Sequence, residues 1–247
     1  MDGAVRIDLI TFDAGNTLIH AKPSLGEVYA RVTREFGAEV AAARFVDAVG
    51  PIFKRYLAAQ PIEFDKGSDD ADLRLWREIT RELHEAIPEL DGNVPFDDWF
   101  GRLYHVFGSA NAWGFIDGAE ATLCELKFEG FRLGLVSNWD TRLRRIAGDL
   151  GILRYMHAVA ISSEVGFRKP HPRIFESVTE HVGVPPDRCL HVGDLLEEDV
   201  RGARAAGWNA ALLDMSGAHE APPDADYHVI RTLDDVWPLL RGSNPGH

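Results

Sequence analysis

Short runs of consecutive apolar residues, each closed by a small or acidic residue, recur along the chain. They cover residues 9–12 before Asp13, 133–136 before Ser137, 158–161 before Ser162, 190–192 before Gly193 and 210–213 before Asp214. Segments with helical spacing lie between them, at 119–128, 143–150 and 174–182, closed by Gly130, Gly151 and Gly183. Strands that are apolar throughout and alternate with helices predict a parallel sheet covered on both faces. The expected fold class is α/β, a doubly wound, Rossmann-like core. Ligands in such sheets sit beyond the carboxyl ends of the strands, so the residues closing these runs are expected to face one crevice.

About a hundred residues separate the first two strands, and they carry a different pattern. Residues 28–36, 42–57, 73–87 and 96–106 have helical periods and no strand among them. This predicts a helical domain inserted after the first strand, because a structureless loop of that length is rare in a compact domain. The boundaries read from the pattern are residues 1–18 and 113–247 for the core and 19–112 for the helical cap. The stretches 60–70 and 88–95 read as connections, and the tail 242–247 as frayed. The cap aromatics Tyr29, Phe53, Tyr56, Trp76 and Trp99 stand at spacings that suit core packing.

Composition narrows the function classes. With 45% hydrophobic residues in 247, the chain can bury a substantial core. The formal charge of −13 disfavours a polyphosphate backbone, so no nucleic-acid partner is expected. Cys124 and Cys189 have no metal-ligand spacing and read as buried small hydrophobes in a reducing compartment. No apolar run reaches the roughly 20 residues of a membrane span. The N-terminal stretch lacks a basic region and a cleavage pattern, so no membrane association and a cytoplasmic location are expected.

Four stretches carry candidate chemistry. Asp13 closes the first strand in the sequence Phe12-Asp13-Ala14-Gly15-Asn16-Thr17-Leu18, where a carboxylate could attack phosphorus and split one displacement into two. Ser137-Asn138-Trp139-Asp140 places a hydroxyl and an amide where a following helix begins, suited either to phosphoryl oxygens or to ordinary capping. Lys169 lies in Gly166-Phe167-Arg168-Lys169-Pro170-His171-Pro172, where an ammonium could neutralise charge shared by a carboxylate and a phosphoryl group. Asp194 closes a strand and Asp199 follows five positions later, a pair suited to a hard cation that keeps several waters. Glu197 and Glu198 read as first-turn acids favoured by the helix dipole.

In this order the four stretches resemble the motifs of the haloacid dehalogenase-like superfamily, over nearly the whole core. The resemblance implies that Asp13 is the nucleophile and that Ser137, with Asn138 beside it, binds the phosphoryl group. It also implies that Lys169 serves catalysis and binding, and that Mg²⁺ is held by Asp13, the carbonyl of Gly15 and Asp194, with Asp199 as ligand or support. The insert matches a type 1 cap, which closes over the site and selects substrates. The implied activity is a magnesium-dependent phosphatase acting on a small phosphorylated metabolite. Gly15 departs from the pattern, since phosphatases of the superfamily carry there a second Asp that serves as acid and base. Asp140 and His171 are the nearest candidates to replace it. Three alternatives stay open: a haloacid dehalogenase, which has little use for Asp194 and Asp199; a phosphonate hydrolase, which needs a cap lysine such as Lys54 or Lys66; and a binding or regulatory protein on the same core. Oligomeric state is not legible in the sequence.

Overall fold

A computed structural model describes residues 6–59 and 66–240. Six parallel strands form one sheet in the order β5-β4-β1-β6-β7-β8: β1 (Leu9–Phe12), β4 (Arg132–Ser137), β5 (Ala158–Ile161), β6 (Cys189–Gly193), β7 (Asn209–Leu213) and β8 (His228–Ile230). From β1 the chain passes outward through β4 to β5, then returns to the other side of β1 for β6 to β8. The crevice beyond β1, β4 and β6 is therefore the reversal point where open α/β sheets bind ligands. The apolar runs of the sequence correspond to five of these strands. The sixth, β8, has only three residues with an exposed first position, too short to show a pattern.

Alternation along the strands sorts side chains onto two faces. Ile10 and Phe12 of β1, with Leu190 and Val192 of β6, enter one apolar cluster, while Leu9 and Cys189 enter the cluster on the opposite face. The first face is covered by α5 (Ala119–Phe128) and α6 (Arg142–Asp149), which contribute Leu123, Leu126, Leu143 and Ile146. The second is covered by α8 (Pro172–Val182) and α9 (Gly202–Ala205), contributing Ile174, Phe175, Val178 and Ala203. A single turn, α7 (Ser162–Val165), follows β5, and α10 (Val236–Leu239) closes the described chain.

Four helices make the insert: α1 (Leu25–Glu35), α2 (Ala42–Ala59), α3 (Asp69–Ala86) and α4 (Phe96–Phe107). Two short strands, β2 (Ile19–Ala21) and β3 (Trp113–Phe115), pair antiparallel where the chain leaves and re-enters the core, an element the sequence pattern did not reveal. Part of the stretch read as a connection is helix, because Ser68 caps α3 by accepting from the Ala71 N–H and Asp69 and Asp70 form its first turn. Residues 60–65 and the tail 242–247 lie outside the described residues. Among the described residues no helix is long and apolar enough to cross a membrane. Cys189 is buried as expected, but Cys124 is exposed, since it stands on the outer face of α5 between the inward-facing Leu123 and Leu126.

The cap has its own apolar core, in which Trp99 is fully buried among Tyr29 and Phe45. The Trp99 indole N–H donates to Thr33 Oγ1 at 3.0 Å, joining α4 to α1. Phe53 packs against this core and stacks on Trp76, which is itself 36% exposed on the outer surface of the cap. Trp99→Ala is expected to lower the unfolding free energy by about 3–5 kcal/mol, the usual cost of emptying a large aromatic site. Urea titration of wild type and variant measures this. A change below about 1 kcal/mol would mean that the cap core tolerates the cavity.

Candidate active site

β1 ends in the middle of the sheet, and the Asp13 N–H continues the ladder by donating to Val192 O of β6 at 2.9 Å. That bond fixes the Asp13 backbone between the ends of β4 and β6. Its side chain is 11% exposed, which leaves it a small opening to the crevice. Ser137, at the end of β4, lies close enough to help hold the Asp13 carboxyl down. Gly15 lies outside the left-handed region, whereas its neighbour Asn16 has φ 54°, so the turn that carries the loop back toward β2 is made at Asn16.

Lys169 is almost completely buried, and its ammonium donates to Asp13 Oδ1 at 2.6 Å, to Asp199 Oδ1 at 2.5 Å and to Val136 O at 3.0 Å. All three of its protons are therefore used. Burial alone would push the ammonium down, but the charges of Asp13 and Asp199 reverse this and hold it above its ordinary value. The backbone around Lys169 is clamped by Asn138: Lys169 N donates to Asn138 Oδ1 at 2.7 Å, and Asn138 Nδ2 donates to Lys169 O and to Glu198 Oε2, both at 2.9 Å. The Asn138 side-chain amide is thus spent on the lysine loop and on Glu198. Glu197 and Glu198 both stand in the first turn, as expected, but in different surroundings. Glu198 is buried against Asn138, while Glu197 is exposed and pairs with Arg201.

Asp199 sits in a wide turn, residues 196–201, at the foot of α9. Its Oδ2 accepts from Leu195 N at 2.9 Å, and its Oδ1 is shared by Lys169 and by His191 Nε2 at 3.1 Å. Gly193 makes this placement possible, because a Cβ there would collide with the Asp199 carboxyl group. Burial would raise the Asp199 pKa, but Lys169 and then His191 outweigh it and hold the carboxyl well below the carboxylate range. Asp13 stays raised, since burial and the charge of Asp199 exceed the help of Lys169. Asp194 is pushed well up by burial, then by Asp13 and Asp199. Among the described residues no three His, Cys, Asp or Glu side chains converge as a ready cage for a metal. With both Asp199 oxygens engaged, the expected ligands left are Asp13, Asp194 and the Gly15 carbonyl, an all-oxygen set. Two carboxylates and a carbonyl suit a small hard cation that retains water, and the raised carboxyls mark a place where added positive charge is favourable.

His191 is a site residue that motif reading passed over. The parallel register sets it directly beside Thr11, on the face that β1 and β6 turn toward α8, and its Nδ1 lies 2.8 Å from Thr11 Oγ1. Burial lowers its pKa, so it is neutral; with Nε2 donating to Asp199, Nδ1 accepts the Thr11 hydroxyl proton. The two candidate proton carriers are both occupied. Asp140 binds Arg142 through two guanidinium nitrogens, at 2.8 and 2.6 Å, and accepts from Tyr104 of the cap at 3.3 Å. His171 caps α8 by accepting from Arg173 N at 3.2 Å, with its ring against Phe167. Cap and core meet on the same two loops: Asp72 pairs with Arg168, next to Lys169, and Asp69 accepts from both N and Oγ1 of Thr141 at 2.8 and 2.7 Å.

Lys169→Met would leave Asp13 and Asp199 buried without their counter-ion. Their folded-state pKa values would then rise above the unfolded ones, so stability is retained below about pH 4 and lost as pH climbs through the raised values. Urea unfolding in chelator is expected to give a wild-type advantage of about 3–5 kcal/mol at pH 7 that shrinks at pH 5. A gap independent of pH would mean that Lys169 acts there through packing alone.

The geometry agrees with comparisons across known proteins. The profile of the haloacid dehalogenase-like hydrolases matches residues 7–207, a span containing all of the groups above. The haloacid dehalogenase-like hydrolase domain-containing protein 3 of Bos taurus is 31% identical, over 96% of this chain and 94% of that protein. A glyceraldehyde 3-phosphate phosphatase of Methanopyrus kandleri is 34% identical over 62% of this chain and 72% of its own length. The HAD-hydrolase YfnB of Bacillus subtilis, solved with bound magnesium, superposes with a TM-score of 0.70 at 19% identity, covering 95% of this chain and 99% of that one. The chain belongs to the haloacid dehalogenase-like hydrolase family.

Proposed function

We propose that the protein is a magnesium-dependent phosphatase that cleaves a small phosphate monoester through an aspartyl-phosphate on Asp13. The observation that carries the reading is the Asp13 carboxylate at the mouth of the crevice, with one oxygen held by Lys169 and Asp194 beside it. Asp13 attacks phosphorus through the oxygen not bound to Lys169, the P–O bond to the leaving group breaks, and water then attacks the aspartyl-phosphate to release inorganic phosphate. The Ser137 hydroxyl holds a non-bridging oxygen, and Lys169 offsets charge as the carboxylate is consumed. Asp13, Asp194 and the Gly15 carbonyl would hold Mg²⁺, with Asp199 fixing Lys169 behind them. When bound, the ion supplies charge neutralisation and a template for the phosphoryl group. A phosphatase in the relatives supports the substrate class. The dehalogenase alternative leaves the crowded Asp194 without a purpose, and Lys54 and Lys66 are exposed, which removes the dry surroundings a phosphonate hydrolase needs for its amine.

Gly15 supplies no proton, and Asp140 and His171 are engaged elsewhere. Leaving groups that depart as stable anions are therefore favoured. Loss of a general acid costs about 10²–10⁴ in rate, so a nitrophenyl phosphate is expected to outpace an alkyl phosphate by a factor of that order. Steady-state assays with both esters test it, and equal rates would show that another group protonates the leaving oxygen.

A panel of phosphorylated metabolites assayed with added Mg²⁺ tests the activity itself. Turnover should vanish in chelator and return with magnesium, and Asp13→Asn should abolish it while the unfolding curve is preserved. A wild type that hydrolyses no ester in the panel, aryl phosphates included, would favour the binding-protein alternative that Gly15 suggests. Near-normal activity in Asp13→Asn would displace Asp13 from the nucleophile role.

A further inference from the structure

Trp139 follows Ser137 by two residues, and its backbone is pinned at both ends by the buried Ser162: Trp139 N donates to Ser162 Oγ at 3.0 Å, and that hydroxyl donates to Trp139 O at 3.1 Å. The indole is fixed as well. It meets the Trp113 ring edge-on at 4.9 Å, and Trp113 is itself tied to the cap by its indole N–H donating to Phe107 O at 2.9 Å. The far edge of the Trp139 ring points at Gly15. A Cβ built on Gly15 would lie 3.5 Å from Trp139 Cζ3, in ordinary contact. A methyl group fits there, but a carboxylate on that Cβ would have to share its space with an apolar ring, and a charge placed against such a surface is costly. Gly15 and Trp139 are thus neighbours, with the ring edge beside the position of any side chain two residues after Asp13. Both Trp139 and Trp113 are half-buried, so part of this aromatic wall remains open.

We infer that Trp139 determines the specificity of the site, and that the leaving group it selects is a planar aromatic ring, making the preferred substrate class aryl phosphates. This rests on the reading of Asp13 as a nucleophile toward phosphate esters. A rigid indole offers a flat apolar surface without loss of rotamer freedom, and aromatic pairs gain about 0.5–1.5 kcal/mol beyond their buried area. A phenolate also departs without the proton that this site does not supply. Binding and chemistry therefore favour the same class for independent reasons.

Two phosphonates of similar size, phenylphosphonate and cyclohexylphosphonate, separate planarity from bulk and from leaving-group chemistry, since neither is hydrolysed. Calorimetric titration of the full-length protein with Mg²⁺ present is expected to show phenylphosphonate binding about three- to ten-fold more tightly. Trp139→Leu should abolish that preference, and Trp139→Phe should keep most of it. If the Leu variant does not fold, the wild-type ratio and its retention in the Phe variant carry the test, together with a change in tryptophan emission on adding phenylphosphonate that the Phe variant lacks. Equal affinities in wild type, or an undiminished preference in folded Trp139→Leu, would overturn the inference and leave the phosphatase reading standing. If the protein binds neither phosphonate nor inorganic phosphate, both readings fail.

Discussion

The site depends on one buried ammonium. Lys169 joins carboxylates from two different elements, Asp13 after β1 and Asp199 in the turn after β6, and reaches the carbonyl of Val136 in β4. A charged amine out of water is tolerated only when every proton is satisfied and the opposite charge is close. Both conditions are met here, and meeting them requires the ends of three neighbouring strands to be in register. Much of the remaining detail serves the same contact: Asn138 holds the lysine backbone, Gly193 leaves room for Asp199, and His191 and Leu195 N take the Asp199 lone pairs that Lys169 does not.

The cap is attached to the loops that present these groups. Asp72 on α3 pairs with Arg168, whose neighbour is Lys169, and Tyr104 on α4 reaches Asp140, two residues after Asn138. Arg142 completes the second contact by binding Asp140 while its guanidinium lies over the Tyr104 ring, 3.4 Å from the centroid. These pairs are largely shielded from water, so they count for more than the exposed pairs on the outer cap surface such as Arg55–Glu82. A displacement of the cap would release charges directly beside the lysine loop and the turn after β4. Cap position and site geometry are mechanically one problem in this chain.

The parts of this arrangement that could be read in the sequence are those that end an apolar run. Asp13, Ser137 and Asp194 announce themselves because a parallel sheet makes its strands visible and then places the next residue at the crevice. Lys169 lies in a loop with no such marker, and its residue type suggests a role that only the resemblance to a family pattern makes specific. His191 was invisible for the opposite reason: it lies inside a strand, and its partnership with Thr11 follows from inter-strand register, which spacing along one chain does not encode. Glu198 looked like a first-turn acid and Asp72 carried no signal, and only the packing of a helix end against a loop turns such residues inward. The Trp139–Gly15 contact joins residues 124 apart in sequence order and had no local sign at all.

The charge balance around the crevice explains why a cation and a missing acid belong together. Asp13, Asp194 and Asp199 face one ammonium, and two of the three carboxyls are pushed up as a result. An incoming phosphate ester adds more negative charge to the same small volume, so the site as built repels its proposed substrate unless a divalent ion joins Asp13 and Asp194. A further carboxylate at position 15 would have increased that excess, on a Cβ that stands beside the Trp139 ring. Glycine at this position therefore fits the local electrostatics and the local packing at once. The chemistry given up is proton donation to the leaving group, the one step that a substrate with a stable leaving anion does not need.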